Sequence, residues 1–171
     1  MTTEHGPDEN GINGEDTPKP DTPELDEEAE SVCRWGAARA AAIVVIPLIG
    51  LLWLTGNIAY MVARLANIYG VTLSKAAIKG FISAMAGNAA LLFFASSIPG
   101  ANIPIAAAVT YGIGKAAQAW IKDGMPTDVA KYKEEYEKAK KRAEQLKDEF
   151  KSDPRRNQPL DGATQGDGAT L

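Results

Sequence analysis

The side chains best suited to chemistry are few and far apart. His5 and Cys33 are each the only residue of their kind in the 171-residue sequence. A single histidine excludes a His pair within one chain, and His5 lies in a polar, Pro- and Gly-containing tail ill suited to a Cys/His dyad or Ser/His/Asp triad. A lone cysteine also excludes an intramolecular disulfide and a multi-cysteine metal site. Cys33 reads as a free thiol or as a juxtamembrane acylation site. The remaining candidates for acid/base work, the carboxylates, are confined to the two flanks of the chain, with none between Cys33 and Lys122. The expectation is a non-enzymatic protein without cofactor or metal.

One glycine pattern invites a nucleotide-binding reading and fails it. A phosphate loop needs Gly, four residues and then Gly-Lys-Ser/Thr, so that backbone N–H groups wrap the phosphates and a hydroxyl holds magnesium. Around Gly112-Ile113-Gly114-Lys115, position 109 is Val and position 116 is Ala. Nucleic-acid binding has no support either, because the C-terminal bases are nearly cancelled by acids and no basic patch is interleaved with aromatics.

The elements that would position any site follow from the charge pattern. Residues 1–32 hold eleven acids and one base, 33–122 hold seven bases and no acid, and 123–171 hold eleven acids and ten bases. A soluble surface normally mixes both signs, so ninety residues without a carboxylate point to an apolar solvent. The first block, with Pro7, Pro18, Pro20 and Pro23 and little aliphatic content, reads as a disordered acidic arm over 1–33 that forms at most a short turn of helix after Glu24.

Within 34–122, residues 40–63 carry no charge for 24 residues, enough for one helix to cross a bilayer, with Pro47 and Gly50 bending it. A second chargeless stretch, 80–114, is divided by Pro99-Gly100 and Pro104 into two arms, a helical hairpin that either crosses the membrane or re-enters it. Gly87, Gly112 and Gly114 suit close helix contact in lipid. Asn57, Asn88 and Asn102 are intramembrane polar candidates, for a packing contact or for a polar pathway across subunits. The basic linker 64–79 favours a cytoplasmic position, whereas Arg34 and Arg39 argue for the opposite orientation.

After Pro126, Thr127 can cap a charged amphipathic helix over 127–152. Its apolar positions Val129, Tyr132, Tyr136, Ala139, Ala143, Leu146 and Phe150 alternate by three and four, a heptad stripe. Two Tyr and two Ala make a weak seam for a coiled coil. The stripe either docks on its own domain or binds a partner or a second copy, and, ranked below both, the helix could lay a basic face on anionic lipid. Residues 153–171 read as a disordered tail.

Two segments resemble a known family. YMVARLANIYGVTLSKAAIKGF, with Met61, Leu65, Ala66, Tyr69 and Gly70, and SIPGANIPIAAAVTYGIGKAAQAWI, with Ile98, Pro99, Gly100, Thr110, Gly112 and Gly114, are similar to domain-of-unknown-function family 697, the YcjF-type domain. The resemblance spans residues 37–122 and departs from the family pattern at Asn57 and Ala59. It implies a helical, membrane-associated bacterial domain that works with a separate small GTPase, and it implies no catalytic residues.

The resulting expectation is an all-α, membrane-embedded domain of two to three apolar helices with a C-terminal charged heptad helix and disordered termini. It would lie in a bacterial inner membrane as an anchor or adaptor. Lipid, a GTPase partner and a homo-oligomer are the expected partners. The alternatives are an oligomeric pore or membrane-remodelling component, and a soluble helical interaction domain.

Overall fold

The computed structural model describes residues 18–44, 50–95 and 102–157. The acidic stretch 1–17, Pro47, the Ile98-Pro99-Gly100 turn and the tail from 158 onward lie outside the described residues. The described residues form an all-α fold with helices α1 (Pro23–Ile43), α2 (Gly50–Ile68), α3 (Lys75–Ala95), α4 (Asn102–Lys122), α5 (Lys133–Gln145) and α6 (Lys147–Ser152). Short 3-10 turns lie at Ala130–Tyr132 and Pro154–Asn157.

Helix α1 starts where local chemistry favours it. Thr22 Oγ1 accepts from the Leu25 N–H at 3.4 Å, Pro23 takes the first turn, and Glu24 and Asp26 meet the positive end of the helix dipole. The helix thus begins ten residues inside the stretch expected to be a disordered arm. Half of it is acidic and half apolar, and Ala29 and Cys33 are wholly buried between these halves. Burial of its apolar face is what offsets the ordering entropy of the acidic turns.

The described residues of the uncharged run 40–63 fall on two helices. Residues 40–43 close α1, and α2 starts at Gly50. Residues 45–49, between them, lie outside the described residues. Among the described residues no helix is long and apolar enough to cross a membrane. The apolar side chains face protein instead: Ala37, Ala38 and Ala40 of α1, Met61, Val62 and Leu65 of α2, and Ile113, Ala116 and Ala117 of α4 are fully buried.

The helices form an up-and-down bundle. Cys33 and Gly36 of α1 face Gly114 of α4 and Met61 of α2 respectively, while Asp26, seven residues earlier, meets Lys122. Hence α2 and α4 run parallel to each other and antiparallel to α1. Phe81, near the start of α3, stacks on Trp120, near the end of α4, with centroids 4.6 Å apart. Helix α3 is broken at Gly87, at φ 29° and ψ −114°.

Helix ends are closed by recurrent backbone geometry. Gly70 adopts φ 75°, and the Val71 and Gly70 N–H groups donate to Ala66 and Asn67 carbonyls at 2.9 and 3.0 Å, closing α2 with a left-handed cap. Only glycine takes that φ without strain.

The charged C-terminal helix expected over 127–152 is also divided. It opens as a 3-10 turn at Ala130 and breaks at Leu146, where φ is −91° and ψ 2°. Helix α5 then packs along α4, and α6 turns back across α1, where Arg155 Nη1 donates to Ser31 Oγ at 2.9 Å.

Candidate functional site

Three layers of the bundle carry the side chains that sequence reasoning singled out, together with several it passed over. The first is a charged layer where α1 begins and α4 ends. Asp26 Oδ1 accepts from the Tyr69 hydroxyl at 2.7 Å and from Gln118 Nε2 at 2.8 Å, and Lys122 Nζ donates to both Asp26 oxygens at 3.0 Å. Lys122 also pairs with Asp21 at 2.7 Å. One turn further along, Glu30 accepts from the Tyr111 hydroxyl at 2.7 Å and from Arg34 Nε at 3.0 Å, and pairs with Lys115 at 3.1 Å. Arg34 reaches on to Glu149 of α6.

Burial alone would raise the pKa of Asp26 and Glu30. Donation by tyrosine together with the neighbouring cations outweighs it and holds both below their ordinary values. The same arrangement pushes the Tyr69 and Tyr111 hydroxyls up, chiefly by burial and then by donation to a carboxylate. Asp26 and Glu30 are therefore held ionised and Tyr69 and Tyr111 held protonated, which makes the layer a clasp joining α1 to α2 and α4. Among the described residues no group of three His, Cys, Asp or Glu side chains is placed to hold a metal ion.

The second layer is the middle of the bundle. Asn57 is fully buried. It donates from Nδ2 to the Gly36 carbonyl at 2.9 Å and accepts from Arg39 Nε at 3.2 Å. Of the two roles open to it, the packing contact is the one observed, and it lies within one chain between α1 and α2. Arg39, expected to flank the apolar run, is 8% exposed with its guanidinium 5.1 Å from the centre of the Trp35 ring. Asn88 and Asn102 belong to the α3 and α4 backbones, and their side chains lie outside the described residues.

Glycines permit this layer to close. A Cβ on Gly114 would stand 2.8 Å from Cys33 Sγ, and one on Gly112 would stand 2.8 Å from the Tyr136 ring. The small residues thus bring α4 against α1 and α5 of the same chain. Cys33 is wholly enclosed, and burial raises its thiol to about 12, so neither ready acylation nor nucleophilic chemistry fits it in this fold.

The heptad stripe is engaged inside the chain as well. Tyr132, Tyr136, Ala139, Ala143, Leu146 and Phe150 are buried and Val129 partly so. Tyr136 lies on Gly112, and Phe150 is 5.8 Å from the Tyr111 ring. The stripe is thus withdrawn from water within the chain, with Tyr136 and Phe150 against α4. The opposite face of α5, with Glu134, Lys138 and Lys141, is the one left in water.

The third layer lies at the far end, where α1 finishes and α2 and α4 begin. Trp53 precedes Met61 by eight residues and Ile105 precedes Gly114 by nine. At about 1.5 Å per residue both lie roughly 12–14 Å from the glycine layer, on the same side. Ile43 reaches that level from α1. Trp53 is 58% and Ile105 38% exposed, the exposed large hydrophobic side chains among the described residues. Here α1, α2 and α4 carry no charge, since this end is built from the runs 40–63 and 80–114.

The signal for this end was present in the sequence as missing charge. The Arg39–Asn57 contact and the clasp had no local signal. No protein family, curated protein or solved structure matches the chain.

Proposed function

We propose that the protein is a non-enzymatic adaptor that sits on a membrane by its chargeless end and presents its charged end to a partner in water. The observation that carries the reading is the co-location of exposed Trp53 and Ile105 at one level of an end without charge on three helices. An exposed tryptophan beside aliphatic residues suits the boundary between headgroups and acyl chains, where its ring is apolar and its N–H remains wet. An interfacial seat needs no spanning helix. The acidic turns of α1 lie at the opposite end, turned away from anionic headgroups. The resemblance to the YcjF-type domain makes a separately encoded GTPase the first partner to test, and a bacterial inner membrane the first location.

The test is flotation with phospholipid vesicles. The chain is expected to rise with the vesicles, and Trp53→Ser combined with Ile105→Ser to remain below with an unchanged circular-dichroism spectrum. Losing both apolar contacts forfeits about 3 kcal/mol, roughly a hundredfold in partitioning. Failure of the parent chain to float would overturn the membrane reading.

A further inference from the structure

The chargeless end has a groove on one side. Ala41 of α1, Ile103 and Ala107 of α4 and Phe150 of α6 form its apolar walls, and its volume is about 580 Å³. That is within the ~300–1,000 Å³ of small-molecule sites. Three exposed charged residues line the rest: Lys147, Lys151 and Glu144. The two lysines are four residues apart and share a face of α6. The one ion pair joining Lys151 to its own helix, with Asp148 at 3.6 Å, is exposed, and such pairs hold a lysine only weakly. An apolar slot edged by two ammonium groups and one carboxylate is complementary to a chain with an anionic head. Ile103 and Ala107 flank Ile105 in sequence, so the groove lies at the level of the exposed hydrophobic side chains.

We propose that this groove takes one acyl chain of an anionic phospholipid from the bilayer on which the chargeless end rests, with Lys147 and Lys151 against its phosphate. The proposal rests on the membrane reading and adds the class of lipid and the place where it is held. Lysine stems lie along apolar surface while their heads reach the phosphate layer, the ordinary geometry of an interfacial lysine. The chain enters a site that the described residues leave unfilled, and the head neutralises the charge at its edge.

The test uses vesicles of phosphatidylcholine alone and of phosphatidylcholine mixed with phosphatidylglycerol, with bromine on the acyl chains of one lipid at a time as a contact quencher. Phe150→Trp in a Trp53→Phe background places a reporter in the groove wall, and Ile103→Trp places one on the facing wall should the first variant fold poorly. Brominated phosphatidylglycerol is expected to quench the reporter severalfold more than brominated phosphatidylcholine. Lys147→Gln with Lys151→Gln is expected to abolish that difference and to weaken binding to the mixed vesicles about thirtyfold, from about 1 kcal/mol for each lysine near an anionic surface. Binding to pure phosphatidylcholine is expected to persist in the lysine variant. Equal quenching by the two lipids, or none at the groove while native Trp53 is quenched, would overturn the lipid site and leave the membrane reading standing. Absence of flotation and of Trp53 quenching would overturn both.

Discussion

The two ends of the bundle solve the problem of exposed helix termini with opposite chemistry. Where α1 begins, Asp26 and Glu30 draw together Tyr69, Gln118, Lys122, Tyr111, Lys115 and Arg34. Where α1 ends, α1, α2 and α4 carry no charge of their own, and Trp53 and Ile105 stand in solvent. Hydrogen bonds have direction, so the first end can hold only one arrangement of its helices. Apolar contact has none, so the second end tolerates exchange of its neighbours, whether protein or lipid. Under the proposed adaptor reading, that difference would leave one end rigid enough to be recognised and the other free to meet a bilayer.

The largest break in this comparison is the pair Trp53→Ser and Ile105→Ser. It is expected to reduce vesicle binding about a hundredfold while the thermal midpoint stays within a degree or two, because both side chains are exposed in the folded chain. A fall in the midpoint as large as that of a core variant would show that this end is part of the stabilising core.

Next comes the joint between the ends. Asn57→Leu leaves the Arg39 guanidinium without its Asn57 acceptor, and is expected to destabilise by about 3 kcal/mol. That corresponds to a drop of about 10 °C in the midpoint for a chain of this size. Gly114→Ala pushes a methyl group against Cys33 and is expected to follow at about 2 kcal/mol, measured by chemical denaturation.

The clasp itself is sharpened by pH. Asp26 and Glu30 have folded values below 3.8 and 4.5, their ordinary values. Their contribution is fully present above those ordinary values and is lost as pH falls below them through the depressed folded values. Stability should be flat from neutral pH down to about 5 and fall steeply below it. Glu30→Gln removes one charged anchor, costs about 1.5 kcal/mol at neutral pH and shallows that fall. An identical acid limb in the variant would assign the pH response to other groups. Smallest of all, Glu134→Gln on the exposed face of α5 breaks its pair with Lys138 and is expected to leave the midpoint unchanged, as isolated surface pairs do.

The stripe from Val129 to Phe150 shows how legible the structure was in the primary sequence, and where legibility stopped. Its three-four spacing specified which seven residues are withdrawn from water, because side chains so spaced fall on one helical face. It did not specify the surface that covers them. Gly112 supplies that surface by lacking a side chain, and it lies some twenty residues away in sequence on another helix. Likewise Thr22-Pro23-Glu24 carries the start of α1 in plain local chemistry, yet the acidic composition around it argued for disorder until Lys115 and Lys122 were brought alongside.

The sequence by itself determined the all-α class, the faces to be buried and the end of the bundle that carries no charge, because helix periodicity, caps and composition act within a few turns of chain. Only the tertiary structure decided what those faces meet. The Asp26–Lys122 contact spans 96 positions, and among the described residues of the chargeless runs Ala40, Met61, Val62 and Ile113 are fully enclosed by protein. Hydrophobicity states that a side chain leaves water and is indifferent to whether lipid or protein receives it. Only the assembled bundle makes that choice, residue by residue.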